Sequence, residues 1–538
     1  MKLITTTRIY TLLLLAISFF QGKLLPGQAP VVHVPDISIK TLVSLPSTQE
    51  VPVRLGKLPG GNLIYSTLYG EIFEINNGSV QLLFDPEDHG LEYISGMAIH
   101  QDQIYICGSV VQEGDTTMIG YVMKGTLPAG PWETIVESVP YFLGKSFNDH
   151  RFSELTVDPG GEYLYLHSGT RTNAGEVHEL SGVPNTLGLR DQPIRGKLLK
   201  IPVSPAQKII LQNDSTWLQT SGYLYAEGLR HMFCLAWDKG HALYGGSNSD
   251  RRDVGEGFYR IEAGTHLGFP WWIGGKRNPL QFGNYDPTAD KLLPSGANNQ
   301  GYYNPDTLFP AMPEGIDFVQ PYKNIGPDAD KFRDSITGAV MDASNLGLTI
   351  TTFSGHRSPT GLVFDTLDLL PAPFRGDGFM VSYNNGGNLL SGDGRDLLHI
   401  RLLNDDSLSA TRMISGFIRP IDVLQDSQKL FVLDYGNSSG TGRKIYEITF
   451  GWPTGIRNDL RKKPFTLYPN PAGEKIRIEM TEPGKIRRIQ LIDNTGKVWK
   501  AELGADFSIN LSGVAAGKYI LNAELEDGTI YAYPFIRK

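Results

Sequence analysis

One strand-forming phrase recurs six times between residues 61 and 448: an apolar run, a polar turn, an aromatic-aliphatic run and a short closing strand. The copies span residues 61–75, 97–107, 155–201, 235–261, 362–400 and 423–448. One antiparallel meander alone cannot bury both faces or hide its edges, so six copies predict radial repetition. The expected fold is all-β, a six-bladed β-propeller. A sandwich with long loops is the competing interpretation.

The first 29 residues have the features of a secretory signal peptide. Lys2 and Arg8 supply positive charge, and residues 10–20 form a short apolar run without an acidic residue. Cleavage is expected between residues 22 and 29, and a retained anchor is the alternative. That run is short for a bilayer and no later stretch is longer, so we expect no transmembrane segment after cleavage.

The remaining chain divides by composition. The propeller is predicted over residues 30–451, with an insertion at about 271–352. A linker is predicted at 452–463, and a unit of short strands, a small Ig-like β-sandwich, at 464–538.

The formal net charge is −8 and no basic run offsets it, which argues against a nucleic-acid partner. Cys107 and Cys234 lie in apolar runs and are expected to be buried and unpaired.

The tail carries several phrases in order: Tyr-Pro-Asn-Pro at 468–471, Asp-x-x-Gly-Lys at 493–497, Leu-Ser-x-x-x-x-Gly-x-Tyr at 511–519, and basic final residues. With these phrases it resembles the C-terminal sorting domain of the type IX secretion system of Bacteroidetes. The resemblance implies passage through the periplasm and outer membrane to a secreted or cell-surface location, with the secretion machinery as partner. A carbohydrate-binding sandwich is the alternative.

Basic side chains precede the first strand in four copies of the repeat. In each of these copies the strand ends in Asp (158, 238, 365 and 426), and seven or eight residues upstream stand His150, Arg230, His231, Arg357 and Arg419. The segment entering each innermost strand of a propeller lies at one channel mouth, so these side chains are expected to converge. They would form a cationic funnel suited to a ligand with several carboxylates. Taken singly, each also fits a surface or structural role.

The body resembles the soluble quinoprotein glucose/sorbosone dehydrogenases, six-bladed propellers that bind pyrroloquinoline quinone (PQQ) and calcium. The shared phrases are His150 with Leu155 and Pro-Gly-Gly at 159–161, Gly-Leu-Arg-His at 228–231, the acidic loop 250–256, Ser-Pro-Thr-Gly at 358–361, and Arg-Pro-Ile-Asp at 419–422. The chain departs from the family pattern at His231, where Asn is expected, and at Ser249 and Asp250, where Gly-Pro is common.

The resemblance implies a sugar or aldose dehydrogenase acting on a sugar or another small polyol or aldehyde. His150 would be the base, while Arg230, His231, Arg357 and Arg419 would hold PQQ. Oxygens of Asn248, Ser249 and Asp250 would hold Ca²⁺. The alternatives are a non-catalytic surface propeller that binds glycan or a protein partner, and a metal-dependent lactonase.

The insertion carries two further candidates. Asp328, Asp330 and Asp334 cluster in a loop without the Gly and terminal Glu of an EF-hand, so helix N-capping by Asp328 or Asp330 is predicted. The aromatic pairs at 271–272 and 302–303 would line a sugar groove or pack the loop, and packing is preferred.

Deleting residues 464–538 should retain the protein inside the cell envelope without unfolding the body, because few contacts are expected across a polar, charged linker. Immunoblotting of medium and envelope fractions, with a thermal melt of the purified body, measures both effects. Arrival of the truncated body in the medium would contradict the sorting assignment.

Overall fold

The computed structural model describes residues 29–47, 51–112, 117–143, 149–177, 190–294, 301–384, 390, 394–451, 465–480, 486–493, 497–525 and 530–538. The predicted linker and all of the predicted signal peptide except residue 29 lie outside the described residues. The chain forms two compact units, Met1–Phe450 and Gly451–Lys538.

The described part of the first unit holds six main β-sheets, here numbered 1 to 6 in chain order. In each sheet three successive strands form an antiparallel meander, and most sheets gain further strands at the outer edge. The strands of sheets 1 to 3 are: Pro52–Lys57, Leu63–Thr67, Ile72–Asn76 and Ser79–Phe84; Gly96–His100, Gln103–Val111, Thr117–Thr126, Trp132–Ser138, Tyr141–Phe142 and Ile209–Leu211; Phe152–Val157, Tyr163–Ser168, Lys197–Pro202, Leu224–Glu227 and Thr265–His266.

Sheets 4 to 6 follow the same order of pairing. Their strands are: Met232–Trp237, Leu243–Ser247 and Gly257–Ile261; Pro359–Phe364, Gly378–Ser382, Asp396–Leu402, Ser407–Ser415, Lys323–Pro327, Ile350–Thr351 and Val31–Val32; Pro420–Asp426, Lys429–Asp434, Lys444–Phe450 and Ile37–Ser44. Short helices are few among the described residues: Pro86–His89, Ser215–Thr220, and the 3₁₀ turns Pro279–Gln281 and Ser344–Leu346.

The first strands of the six sheets contact one another in a closed cycle. Each touches the first strand of the next sheet, and that of sheet 6 touches that of sheet 1. The strand Ile37–Ser44 pairs antiparallel with Lys444–Phe450, so the amino-terminal end of the body completes the last sheet. The closed cycle excludes the sandwich interpretation for the body and confirms the predicted all-β propeller.

Three of the four aspartates that close the first strands bind the turns that follow them. Asp158 accepts from the amides of Glu162 and Tyr163, and Asp238 accepts from the amide of Ala242. Asp365 accepts from the amides of three later residues in the same way. The recurrence of Asp in the sequence is therefore explained by turn chemistry at the end of the sheet away from the strand start.

Two predictions for the insertion have different outcomes. The helix expected after Asp328 or Asp330 is absent: strands Lys323–Pro327 and Lys331–Arg333 flank these residues, and Asp330 accepts from the amide of Ser344 instead. The Asp330 carboxylate therefore binds a backbone amide of another loop instead of the amides at the start of a helix. Tyr302 and Tyr303 are 0% and 1% exposed, so they pack the insertion as expected. Cys107 and Cys234 are buried and free, also as expected.

The second unit is a small β-sandwich. One sheet contains Phe465–Tyr468, Lys475–Met480 and Ser508–Asn510. The other contains Val498–Ala501, Ile486–Asp493, Gly517–Leu525 and Ile530–Arg537. Inward side chains of both sheets share one apolar core, in which Phe465 stacks on Tyr533 at 4.2 Å between ring centres.

The centre of the ring is closed by Arg54, from the first strand of sheet 1. Its guanidinium donates to backbone oxygens of four other sheets or their entry segments and pairs with the Glu154 carboxylate. These oxygens belong to Ser95, Phe233, Thr360 and Ser153, at 3.0 to 3.1 Å. The remaining sheet is reached through Asp422, whose carboxylate accepts from the Leu55 amide at 2.8 Å. One arginine thus ties sheet 1 to sheets 2 to 5.

Replacing Arg54 with Met should lower the free energy of unfolding by about 3–5 kcal/mol, because it leaves the buried Glu154 carboxylate and four carbonyls without their donor. Urea unfolding of the body measures the change. Arg260→Met is the matched control, since Arg260 pairs with Glu262 at the exposed surface. Equal stability of the two variants would show that Arg54 does not hold the ring.

Candidate functional site

The contacts of Arg54 with sheets 2 to 5, and of Leu55 with Asp422 in sheet 6, lie near the start of each first strand. The six first strands therefore begin at one mouth of the channel. The Arg54 partners Ser153, Phe233 and Thr360 are each the second residue of a first strand, and Ser95 directly precedes one. In these sheets the second strand runs antiparallel to the first, so it ends at the same mouth, where the third begins. This mouth therefore collects three segments from each sheet.

Backbone hydrogen bonds bring the entry segments against the loops that leave the second strands. The amides of Asn248, Asn384 and Tyr435 donate to the carbonyls of His231, Arg357 and Arg419 at 2.8 to 2.9 Å. Likewise the amide of His150 donates to the Thr170 carbonyl at 2.8 Å. All the predicted site residues consequently belong to segments at one mouth: His150, Arg230, His231, Arg357, Arg419, Asn248, Ser249 and Asp250.

His150 is held from two sides. Arg195 donates to the His150 carbonyl at 2.5 Å and pairs with the Asp149 carboxylate at 2.8 Å. Gly169 lies directly against the imidazole-bearing carbon, because a Cβ at that position would stand 2.4 Å from the Cβ of His150. Neither Arg195 nor Gly169 was singled out from the sequence, since no repeat or spacing marks them.

The imidazole of His150 stacks on that of His231. The ring centres are 3.8 Å apart and the planes differ by 12°. His167 lies beyond, 6.3 Å from the ring centre of His231, and its Nδ1 is 2.9 Å from the Ser153 hydroxyl. The Nδ1 atoms of His150 and His231 and the Nε2 of His167 are buried without a hydrogen-bond partner among the described residues.

All three imidazoles are kept uncharged. Burial, followed by the neighbouring His231 and Arg230, holds the pKa of His150 well below its usual range. Burial, with His167 and Arg230, does the same to the pKa of His231. Burial lowers the pKa of His167 to about 3. At neutral pH the cluster therefore offers neutral acceptors and donors rather than positive charge.

Arg230 is committed to the protein. Its Nε donates to the Asn173 carbonyl at 2.8 Å, and one terminal nitrogen donates to the Asn173 side-chain oxygen at 3.2 Å. The other terminal nitrogen donates to the Asn248 carbonyl at 3.0 Å. The side chain is 5% exposed. Its donors are thus aimed at neighbouring loops.

Arg357 and Arg419 differ from one another. Arg357 is completely buried and pairs with Asp396 at 2.6 Å, although its Nε and one terminal nitrogen have no partner among the described residues. Arg419 is half-buried, lies 5.7 Å and 5.9 Å from the ring centres of Tyr383 and Tyr435, and donates to the Ser438 hydroxyl at 3.3 Å. The funnel is therefore partly neutralised within the protein.

Two buried acids complete the mouth near sheet 4. Burial raises the pKa of Glu256 to about 7, and one of its oxygens has no partner among the described residues. Burial raises the pKa of Asp250 to about 6, and its carboxylate accepts from the Arg252 amide at 2.8 Å and from the Tyr303 hydroxyl. Nothing in the spacing of the repeat singled out Glu256, because it follows a loop of irregular length.

The predicted calcium ligands do not fit a calcium ion as they stand. The Asn248 carbonyl already accepts from the Arg230 guanidinium, and a metal beside it would face that positive charge. Both Asp250 oxygens have donors, and the Ser249 hydroxyl points at the Val254 carbonyl at 3.5 Å. Among the described residues no group of three or more His, Cys, Asp or Glu side chains is arranged to hold a metal. Calcium needs six to eight oxygens.

A flat, carboxylate-bearing group such as PQQ fits part of the mouth. Buried donors without partners remain on Arg357, and Arg419 carries a charge that no described carboxylate pairs with. The His150–His231 stack offers ring edges with free nitrogens. Each nitrogen of Arg230 already donates to a protein oxygen, so this side chain is less available to a ligand.

Residues 466–532 match the family model described as "Secretion system C-terminal sorting domain". The tail is a sorting domain. It directs the protein to the cell surface or beyond the cell, as the phrases in the tail predicted. No helix in the described ranges is long and apolar enough to cross a bilayer.

Several solved structures are similar to this chain at low identity. The PQQ-bound aldose sugar dehydrogenase of Streptomyces coelicolor is 16% identical, with 78% of this chain and 99% of that one covered and a TM-score of 0.43. The apo soluble aldose sugar dehydrogenase of Escherichia coli is 14% identical, with 77% and 99% covered and a TM-score of 0.47. The pyranose dehydrogenase PQQ domain of Coprinopsis cinerea is 13% identical, with 79% and 98% covered and a TM-score of 0.43. No curated protein matches the sequence.

The depressed pKa of His150 predicts a defined pH dependence. Native His150 takes up no proton where the unfolded imidazole, with a pKa of about 6.5, does, so its contribution to stability is present above pH 6.5 and lost as pH falls. Relative to His150→Asn, the wild type should lose up to about 1.4 kcal/mol of unfolding free energy per pH unit below that value.

Urea unfolding of both proteins between pH 7 and pH 5 measures this difference. Glu256 and Asp250, whose raised pKa values act in the opposite direction, are common to both proteins and cancel. Parallel curves for wild type and variant would mean that native His150 binds its proton normally.

Proposed function

We propose that this protein is an exported sugar dehydrogenase-like propeller that acts on a sugar or another small polyol or aldehyde at the channel mouth. The type IX machinery would carry it through the periplasm and outer membrane, guided by the sorting domain. The observation that carries the proposal is His150: a neutral imidazole with a free nitrogen, fixed in the ring of segments that surrounds the mouth.

His150 has the properties that a proton acceptor requires. Its charge state is correct at neutral pH, because burial and the neighbouring His231 and Arg230 keep it unprotonated. Its position is fixed by Arg195 and by stacking on His231, so the ring does not have to be ordered when a substrate hydroxyl arrives. The proton of that hydroxyl would pass to the imidazole.

The neighbouring polar atoms fit a hydroxyl-rich ligand. Four buried polar atoms have no hydrogen-bond partner among the described residues: the side-chain oxygen of Asn248, the side-chain nitrogen of Asn173, one oxygen of Glu256 and the Tyr383 hydroxyl. A sugar presents hydroxyls that donate and accept, so it would satisfy acceptors and donors together. These atoms belong to segments of sheets 3, 4 and 5 at the mouth.

PQQ, when bound, would supply the hydride acceptor for this reaction. Arg357, Arg419 and the ring of His231 are the residues of this chain that would hold it, and Arg230 would act through the Asn173 and Asn248 loops that it fixes. Calcium has no part in the proposal, because the 248–250 loop does not fit it.

A non-catalytic propeller that binds a glycan is the second candidate. It is favoured by Arg230 and Arg357, whose charges are already bound by neighbouring loops and by Asp396. A site that had lost its cofactor would be expected to use its arginines internally in this way. The two candidates differ in one property, which is quinone-dependent turnover.

His150→Asn should reduce quinone-dependent sugar oxidation by about two to four orders of magnitude while leaving quinone affinity nearly unchanged, because the variant removes the base and no carboxylate partner. Dye-linked oxidation of a panel of aldoses by protein loaded with PQQ measures turnover, and calorimetry measures affinity. His241→Asn, at an exposed turn of sheet 4, is the matched control, since Asn tolerates its positive φ of 62°.

No turnover by wild type, together with undetectable PQQ binding, would contradict the dehydrogenase proposal. Sugar binding that persists in that case would establish the second candidate.

A further inference from the structure

Two arginines at the mouth lie near one another, and neither pairs with an acid among the described residues. Arg395 directly precedes the third strand of sheet 5, and Arg419 directly precedes the first strand of sheet 6. Burial and then the charge of Arg419 lower the pKa of Arg395, while Tyr383 and Asp434 oppose this shift without reversing it. Within the described ranges neither guanidinium forms an ion pair. Arg419 donates to the Ser438 hydroxyl at 3.3 Å and also lies close to the Tyr383 hydroxyl.

The other buried arginines around the channel are compensated. Arg54 pairs with Glu154, Arg195 with Asp149 and Arg357 with Asp396. Each nitrogen of Arg230 donates to a protein oxygen. Arg443, also buried, donates to the Tyr435 and Ser47 carbonyls. Arg395 and Arg419 differ from these residues because two neighbouring cations lie together without an ion pair, and their mutual repulsion is costly where solvent is partly excluded.

The acid nearest in the fold does not serve them. Asp434 uses its carboxylate for the amides of Ile418, Arg419 and Gly436, at 2.8 to 2.9 Å. It thereby shapes the entry segment that carries Arg419 rather than pairing with a guanidinium. Asp434 therefore fixes the backbone of this segment, and neither Arg395 nor Arg419 forms an ion pair with it.

Hydrogen-bond donors without a protein partner lie beside Arg395 and Arg419. The Nε of Arg395 and the hydroxyl of Tyr383 are buried without a partner among the described residues, and Tyr383 is 2% exposed. The guanidinium of Arg419 lies over the Tyr383 and Tyr435 rings, whose centres are 5.6 Å apart. An oxygen acceptor with negative charge would satisfy the arginines and the phenol at once.

We propose that Arg395 and Arg419, with the Tyr383 hydroxyl, form a binding site for a carboxylate group of a ligand at the channel mouth. Two guanidinium forks present donors that match the two oxygens of a carboxylate. The inference deepens the proposed function, since it assigns a ligand group to the same mouth, and it adds Arg395, which the sequence repeat did not reveal.

The carboxylate has two chemical sources: a quinone cofactor or an acidic sugar such as a uronic acid. Both present the same group to the arginines, so the structure identifies the group and an experiment identifies the source. The matched probes are PQQ, D-glucuronate and D-glucose. The two sugars share their ring and differ by the carboxylate.

Calorimetry on the purified exported protein at low ionic strength measures the affinity of each probe. The carboxylate-bearing ligand should bind about 10- to 100-fold more weakly to Arg395→Gln and to Arg419→Gln, as expected for loss of one charge-assisted contact. Arg395→Lys, which keeps the charge and loses the fork, should fall between wild type and Gln. Arg401→Gln is the control, because Arg401 lies on the same strand and pairs with Asp377 at the exposed surface.

Binding of glucuronate but not glucose, lost in both Gln variants, would support the site and identify an acidic sugar. Binding of PQQ alone, with the same losses, would support the site and identify the quinone. Affinities that do not change in Arg395→Gln, or no binding of either carboxylate, would overturn the proposal. Failure of the dehydrogenase proposal is separate, because it is read from turnover of His150→Asn and not from these affinities.

Discussion

The contacts of Arg54 fix the geometry on which the rest of the body depends. Six first strands meet at the centre of a ring, and each brings backbone groups that water cannot reach. One guanidinium donates to carbonyls from sheets 2 to 5 and pairs with Glu154, while Asp422 joins sheet 6 to the backbone of sheet 1. Removing this one side chain would leave carbonyls from four sheets and a carboxylate without a donor. The ring is thus held at its narrowest level by hydrogen bonds rather than by apolar packing.

The same contacts give the mouth its chemistry. Because Arg54 fills the channel one residue below the strand starts, a ligand at this level lies above a plug of charged groups. Around that plug the sheets place neutral imidazoles on the side of sheets 3 and 4, and uncompensated arginines on the side of sheets 5 and 6. The mouth is therefore polar throughout but charged mainly at one side. A ligand with hydroxyls at one end and a carboxylate at the other matches that division.

The sequence predicted what depends on local repetition. The strands of all six copies appear in the sheets, and three of the four closing aspartates are turn residues with a local role. The fourth, Asp426, pairs with Lys57 of sheet 1. The first strand of sheet 1 was missed, and Arg54 with it, because that strand ends in Lys57 and carries no aspartate. Arg395 and Tyr383 were missed for another reason: they lie in connections between second and third strands, whose lengths vary from sheet to sheet. The helix predicted after Asp328 or Asp330 is absent, and other amides bind these carboxylates: that of Arg412 binds Asp328 and that of Ser344 binds Asp330.

The sequence predicted the position of the site residues better than their role. The spacing of the repeat predicted that His150, Arg230, Arg357 and Arg419 lie at one mouth. It could not predict which of these side chains are already paired with an acid of the protein. Arg357 lies two residues before its first strand and Arg419 one residue before its own. Asp396 neutralises Arg357, whereas Asp434, held by backbone amides, forms no ion pair with Arg419. The difference arises from where one aspartate falls in each sheet: Asp396 begins a third strand, whereas Asp434 ends a second strand. In this mouth Arg419 is thus available to a ligand because the neighbouring acid, Asp434, accepts hydrogen bonds from backbone amides.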